Sequence, residues 1–146
     1  GDPGGRCNCT AEMVVRYRTK LSGPLLDRID LHVNVAREPT SLREPSARAP
    51  GSAEARQQVM AARERQQRRQ GCCNSQLNLD SLHQHCRLDE ADRRWLEQAC
   101  ERLQLSLRAS HRILKVARTL ADLDSADDIS RKHLAEALQY RIQLNS

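Results

Sequence analysis

The sequence has few aromatic residues and no long apolar run, and these absences limit what the chain can be. Its aromatic side chains are Tyr17, Trp95 and Tyr140, and it contains no phenylalanine. No apolar run approaches the roughly 20 residues of a membrane-spanning helix, and the first residues lack a signal-peptide pattern. We therefore expect a cytoplasmic protein that does not associate with a membrane. Its core must be built from Leu, Ala, Val and Ile, as in helical bundles.

Sequence patterns of the common catalytic centres are also missing. The chain has no G-x-x-x-x-G-K-[ST] phosphate-binding loop and no acidic run after a buried strand that would serve as a Walker B motif. It has neither G-x-S-x-G nor H-E-x-x-H. We therefore expect the chain not to hydrolyse ATP by itself. Because it begins with Gly1 rather than Met, we also expect it to be a piece of a longer protein.

The net charge of +5 comes almost entirely from arginine, since only Lys20, Lys115 and Lys132 are lysines. The planar guanidinium group of arginine can pair with two phosphate oxygens at once. A solvated, arginine-rich surface is the simpler interpretation of this excess. Contact with a nucleotide or a nucleic acid is the alternative.

The spacing of apolar residues predicts a mainly α-helical chain with one short strand. Helices are predicted over residues 11–19, 53–70, 90–104, 107–123 and 131–143, with N-caps at Thr10, Ser52, Asp89, Ser106, and Asp128 or Ser130. Ile29, Leu31, Val33 and Val35 alternate with polar residues, which predicts a half-buried strand. A single strand cannot satisfy its own backbone groups. It must pair with another copy or with a sheet upstream of Gly1.

A proline-containing segment divides the chain into two parts. Pro39, Pro45 and Pro50 lie in residues 37–51, which we interpret as an exposed linker. Residues 1–36 precede the linker and residues 52–146 follow it. After the 53–70 helix, which Gly71 ends, we expect a loop over residues 72–80. The last three helices have apolar stripes with a 3.6-residue period, which indicates a compact antiparallel bundle.

Three stretches of the sequence carry a family resemblance. They are residues 21–33 (LSGPLLDRIDLHV), residues 105–123 (LSLRASHRILKVARTLADL) and residues 133–141 (HLAEALQYR). They resemble segments of the ComM/YifB-type magnesium-chelatase-like AAA+ ATPases. The resemblance implies that residues 1–36 are the closing helix and strand of an α/β ATPase core, and that residues 52–146 form its C-terminal helical lid bundle.

The same resemblance implies roles for individual arginines. An arginine at the position of Arg28 reaches the ATP site of the neighbouring subunit, where it stabilises the charge that develops during phosphoryl transfer. Without the resemblance, an ion pair of Arg28 with Asp27 or Asp30 is the favoured interpretation. A sensor arginine at the start of a lid helix corresponds to Arg108, and Arg112, one turn later, is the second candidate.

The resemblance further implies the cofactors, the assembly and the activity of the intact protein. The cofactors are ATP and Mg²⁺, and the assembly is a homo-oligomeric ring, expected to be hexameric. The activity is ATP-driven DNA remodelling of the helicase type. Arg118, in the second half of the 107–123 helix, is interpreted as a structural or interface residue.

The six cysteines favour free thiols or a metal site over disulfides in a cytoplasmic protein. Cys7 and Cys9 would form half of a zinc site, because a structural zinc ion needs four ligands. In the related family a C-P-C-G pair supplies the other half, and it would lie upstream of Gly1. A second cluster is weaker because adjacent cysteines rarely bind one ion; it consists of Cys72, Cys73, His83, His85 and Cys86. Cys86 and Cys100 are interpreted as small core residues.

Two other functions stay open at this stage. The chain could be a stand-alone basic helical module that binds DNA or a protein partner through the arginines of the 53–70 helix. No aromatic residues accompany these arginines to stack on bases. A chelatase-type motor subunit, which drives metal insertion into a porphyrin, is the third and weakest reading of the same motifs.

Overall fold

The computed structural model of the chain describes residues 8–20, 25, 28–33, 35 and 51–142. The helices within these residues are α1 (Ala11–Arg18), α2 (Ser52–Gln70), α3 (Leu79–His85), α4 (Glu90–Arg102), α5 (Leu107–Leu123) and α6 (Arg131–Ile142), with a 3₁₀ turn at Asn74–Gln76. The mainly α-helical fold with a C-terminal helical bundle is therefore confirmed.

Side-chain caps explain where several of these helices begin. The side-chain oxygens of Thr10, Asp89 and Ser106 accept hydrogen bonds from the third residue along, as predicted for these three positions. Helix α2 begins one residue earlier than predicted, at Ser52, with Gly51 in the N-cap position. It ends at Gln70, and Gly71 is its C-cap, with a φ of 72° in the left-handed conformation that glycine adopts most easily.

Helix α5 lies at the centre of the bundle. Its buried face is formed by Ala109, Ile113, Ala117 and Ala121, each at most 1% exposed. The small alanine side chains let neighbouring helices approach closely, and α5 packs mainly against α6 on one side and α2 on another. The buried face of α5 is thus enclosed by the neighbouring helices α2 and α6.

Helix α3 was not predicted, because its sequence offers too little periodicity. It has seven residues, of which only Leu82 is buried, while Leu79 is 52% exposed. A helix with a single buried residue has no periodic stripe of apolar residues that would indicate it in the sequence. The expected loop over residues 72–80 instead contains the 3₁₀ turn and the start of α3, which the side chain of Asn78 caps.

The strand predicted over residues 29–35 requires a correction. The described residues of this segment, 29–33 and 35, form no strand, and none of the other described residues does. The physical reason is that the described part of the chain contains no second strand with which to pair. The backbone N–H of His32 donates instead to the carbonyl oxygen of Tyr140 at 2.8 Å. Val33 and Val35 stay 64% and 85% exposed.

Candidate functional site

Arg28 lies on an exposed turn just before residues 29–32, which contact the helical bundle. Its backbone N–H donates to the carbonyl oxygen of Leu25 at 3.0 Å, which closes the turn, and the residue is exposed. Asp27 is outside the described residues. Asp30 forms an ion pair with Arg112, and among the described residues no ion pair joins Arg28 to Asp30. The structure therefore does not show Arg28 as the partner of Asp30, which was one of the two structural alternatives.

Arg108 occupies the first turn of α5. The side chain of Ser106 accepts a hydrogen bond from the backbone N–H of Ala109 at 3.2 Å and caps the helix. Arg108 and its neighbour Leu107 are exposed, and the guanidinium of Arg108 forms no ion pair with another described residue. A cation at a helix N-terminus is opposed by the helix dipole, whereas an anion there is favoured. The position of Arg108 is therefore suited to a bound anion such as a phosphate.

Arg112 lies one turn further along α5, but its contacts differ from those of Arg108. Its Nη1 forms an ion pair with Oδ1 of Asp30, and its side chain is only 25% exposed. The two candidate sensor arginines are therefore in different environments. Arg108 faces solvent, whereas Arg112 forms an ion pair with Asp30, two residues after Arg28.

The buried polar centre of the bundle is Asp122, which sequence reasoning did not identify. Arg69 on α2 donates to both carboxylate oxygens of Asp122, at 2.6 and 3.0 Å. Nδ2 of Asn74 donates to the same carboxylate at 2.9 Å. Arg118 pairs with it at 3.2 Å and donates to the carbonyl oxygens of Ala126 at 2.8 Å and Asp127 at 2.7 Å.

The electrostatics of this cluster keep Asp122 ionised. Burial would raise the pKa of the Asp122 carboxyl, but hydrogen bonds from Arg69 and Asn74 and the charge of Arg118 outweigh it, so the net pKa is lowered. The hydrogen bond to Asp122 raises the pKa of Arg69, and burial lowers that of Arg118. The cluster joins α2, the 3₁₀ turn and α5 and is structural. The only sequence feature that indicates this cluster is the i,i+4 spacing of Arg118 and Asp122 beside the buried apolar residues of α5.

The cysteine expectations have mixed outcomes. Cys86 is buried in the core, and burial raises the pKa of its thiol to about 11. Cys100 packs against the same core, as predicted, and burial raises its pKa as well. No group of three or more metal-binding side chains occurs in the described residues, which include Cys72 and Cys73. Cys7 lies outside those residues and Cys9 is exposed, so the zinc half-site stays a prediction.

A cavity of about 540 Å³ lies between α3, α4 and the start of α5. Its walls are mostly apolar, with Leu82, Leu96 and Leu114 among them, and they extend to the first turn of α5. The rings of His83 and His111 meet edge to face, with centroids 6.4 Å apart. Burial lowers the pKa of His111, and the neighbouring His83 and Lys115 lower it further.

The arginines of α2 are largely engaged within the chain. Arg65 pairs with Asp127 at 2.8 Å, Arg68 pairs with Glu64, and Arg69 pairs with Asp122. This leaves Arg56 and Arg63 as exposed arginines of the helix without such pairs among the described residues. The helix therefore offers less free positive charge than its sequence indicates.

Among the helices in the described ranges, none combines the length and the apolar character that crossing a membrane requires.

Comparison with known proteins identifies the family. Residues 49–141 match the family model for magnesium chelatase, subunit ChlI C-terminal, and residues 1–42 match the model for magnesium chelatase, subunit ChlI. The uncharacterized protein YifB of Escherichia coli (strain K12) is 46% identical over 140 residues, which cover 94% of this chain and 28% of that protein.

A second relative carries a more informative name. The competence protein ComM of Haemophilus influenzae is 45% identical over 131 residues, which cover 89% of this chain and 26% of that protein. The chain thus spans less than a third of the length of either relative. The two family models and these relatives together place the sequence: the chain belongs to the magnesium chelatase ChlI family and is of the ComM/YifB type.

Proposed function

We propose that this chain is part of a longer, cytoplasmic AAA+ ATPase that works as a homo-oligomeric ring. In it, Arg28 acts on the nucleotide of a neighbouring subunit, and Arg108 binds the nucleotide of its own subunit. The observation that carries the proposal is the exposure of Arg28 and Arg108. Arg69, Arg112 and Arg118 are, by contrast, engaged in ion pairs within the chain.

The chemistry of phosphoryl transfer requires positive charge around the transferred group. ATP and Mg²⁺, which family membership implies for the intact protein, would supply the phosphoryl group and part of that charge. Arg28 would add guanidinium donors to the phosphate oxygens from a second subunit, which makes hydrolysis depend on assembly. Arg108 would add donors beside the N-terminal amides of α5, which favour an anion themselves. Cys7 and Cys9 would be available to a zinc ion only together with ligands outside this chain.

The substrate on which the motor acts is the least constrained part of the proposal. The Haemophilus influenzae relative is named a competence protein, and on that basis we propose DNA. The excess of basic over acidic residues, with a net charge of +5, is compatible with a polyanionic substrate. DNA-stimulated ATP hydrolysis by the full-length protein is the corresponding measurement, and the absence of stimulation by any DNA would refute this part.

The role of Arg28 is tested in the full-length protein by steady-state ATP hydrolysis. We expect Arg28→Ala to lower kcat by about a thousandfold, the lower range for removal of an arginine finger, with little change in KM. Arg63→Ala, which removes an exposed arginine of α2, is the matched control and should leave kcat unchanged. A kcat for Arg28→Ala equal to that of the control would refute the role.

A mixing experiment tests whether Arg28 acts on a neighbour. Subunits with Arg28→Ala are mixed with subunits that lack the phosphate-binding lysine of the ATP site. Each kind is inactive alone, but a mixed ring contains intact ATP sites next to intact Arg28 side chains. We expect activity to return on mixing. If no activity returns although mixed rings form, Arg28 does not act in a neighbouring site.

The role of Arg108 is tested by nucleotide binding. Because a hydrogen bond to a charged group contributes about 1.5–3 kcal/mol, Arg108→Ala should raise the Kd for a fluorescent ATP analogue by about tenfold or more. An unchanged Kd would exclude Arg108 as a nucleotide contact. The Arg63→Ala variant again serves as the control.

A further inference from the structure

The segment that follows Arg28 is attached to the helical bundle by three polar contacts. Asp30 pairs with Arg112 of α5, and the carbonyl oxygen of Ile29 accepts a hydrogen bond from Arg141 of α6. The backbone N–H of His32 donates to the carbonyl oxygen of Tyr140, also on α6, at 2.8 Å. The contacts involve three consecutive or nearly consecutive residues, so they fix the direction of the chain just after Arg28.

These contacts connect the two exposed arginines by a short path. Asp30 is two residues from Arg28, which corresponds to at most about 7 Å of extended chain. Arg112 is four residues from Arg108 on α5, or about 6 Å along the helix axis. Arg108 and Arg112 lie on one continuous helix in which Ala109 and Ile113 are buried, so the first turn of α5 and Arg112 move together. A displacement of the first turn of α5 is therefore transmitted to Arg28 through the pair of Asp30 with Arg112.

The attachment depends on polar contacts more than on apolar burial, and it is incompletely satisfied. Ile29 and Leu31 stay 41% and 48% exposed. Both ring nitrogens of His32 are buried, and neither has a hydrogen-bond partner among the described residues. Buried polar atoms without partners raise the free energy of the docked state. The segment is therefore held to the bundle mainly by the three polar contacts.

We propose that Asp30, Arg112 and Arg141 form a latch that makes the lid bundle and the Arg28 segment move together. Occupancy of the nucleotide site at Arg108 in one subunit then sets the position of Arg28 at the site of its neighbour. By thermodynamic linkage, engagement of Arg28 by the neighbour changes nucleotide affinity at Arg108 in return. Arg112 is then a positioning residue rather than a second nucleotide sensor. The inference rests on the proposed function of Arg28 and Arg108.

The latch itself is tested by hydrogen–deuterium exchange in the full 146-residue chain, without any nucleotide. The variants are Asp30→Arg, Arg112→Asp and the double charge swap, and the readout is the exchange rate of the His32 amide. Because partly exposed ion pairs are weak, each single variant should accelerate exchange about two- to fivefold. The double swap should restore the original rate, since the pair is re-formed with opposite polarity.

Controls separate the latch from general destabilisation. Arg108→Asp changes the same charge on the same helix at a position that does not contact Asp30, and should leave His32 exchange unchanged. Amides in the middle of α5 should exchange at the same rate in all variants. Acceleration in Arg108→Asp equal to that in Arg112→Asp, or a double swap no slower than the single variants, would overturn the latch.

Steady-state hydrolysis in the full-length protein then separates the latch from the proposed function. We expect Asp30→Arg to lower kcat without changing KM, and the double swap to restore kcat. If Arg28→Ala itself leaves kcat unchanged, the proposed function fails, while the exchange data still decide on the latch. If Arg28→Ala lowers kcat but Asp30→Arg alters neither kcat nor exchange, the latch is wrong and the role of Arg28 stands.

A raised KM for Arg112→Asp that the double swap does not restore would make Arg112 a nucleotide contact and overturn its positioning role.

Discussion

Removal of the Asp122 carboxylate is the sharpest available test of how the bundle is held together. Asp122 is 1% exposed and receives donors from Arg69, Asn74 and Arg118. Asp122→Ala would leave the guanidinium of Arg118, whose side chain is 3% exposed, without a counter-charge. Removing one partner of a buried ion pair costs about 3–5 kcal/mol, because the remaining charge stays buried.

The structure places the expected loss near the lower end of that range. Arg118 keeps its hydrogen bonds to the carbonyl oxygens of Ala126 and Asp127, which partly replace the carboxylate. The side chain of Arg69 is 24% exposed, so water can solvate it. We therefore expect Asp122→Ala to lower the free energy of unfolding by about 3 kcal/mol. With a urea m value of about 2 kcal/mol/M, the unfolding midpoint falls by about 1.5 M.

The assay is urea unfolding of the 146-residue chain, followed by far-ultraviolet circular dichroism. Glu64→Ala is the matched control, because it also removes an acidic partner of arginine, but from an exposed i,i+4 pair on α2. Such pairs are worth about 0.5 kcal/mol or less. If Asp122→Ala lowers the midpoint no more than Glu64→Ala does, the cluster around Asp122 does not stabilise the bundle and the reasoning is refuted.

Two further predictions concern pH and thiol reactivity. Because the folded-state pKa of Asp122 is lowered, the stability it contributes is present above the unfolded pKa of about 3.9 and is lost as pH falls through the folded pKa. The urea concentration at the unfolding midpoint should therefore decrease when the pH drops below about 4, and it should decrease less in Asp122→Asn. An equal decrease in that variant would show that Asp122 is not the group responsible. Because burial raises the pKa of Cys86 to about 11, its thiol should react with iodoacetamide at pH 8 much more slowly than that of exposed Cys9. Peptide mass spectrometry measures both rates, and equal rates would show that Cys86 is accessible.

Helices that combine a side-chain cap with an apolar stripe were predictable from the sequence, whereas α3, which Asn78 caps but which has only one buried residue, was not. Both ends of α5, Leu107 and Leu123, were predicted correctly, because Ser106 caps a helix with a strong apolar stripe. The end of α4 was predicted two residues late, at residue 104 instead of Arg102. The reason is that Gln104 adopts a left-handed φ of 51°, a conformation that sequence reasoning assigns to glycine or asparagine.

The polar contacts between distant residues were not predictable from one sequence. Asp122 receives hydrogen bonds from Asn74, 48 positions away, and from Arg69, 53 positions away. Asp30 and Arg112 are 82 positions apart. Periodicity shows which face of a helix is buried, but it does not show which residue of another helix meets that face. The candidate sites could be named from the sequence, whereas their partners required the fold.

The contacts of each arginine, rather than the number of arginines, separate the two sensor candidates. If a nucleotide recruited Arg112, the pair with Asp30 would break, and the Arg28 segment would lose one of its three attachments. If Arg108 alone binds, the pair persists and His32 keeps its hydrogen bond to Tyr140. The two arrangements thus predict opposite responses of the His32 amide when nucleotide binds to the full-length protein. Faster exchange would assign the nucleotide to Arg112 and release Arg28, whereas unchanged or slower exchange would exclude Arg112 as a nucleotide contact and keep Arg28 attached to the lid.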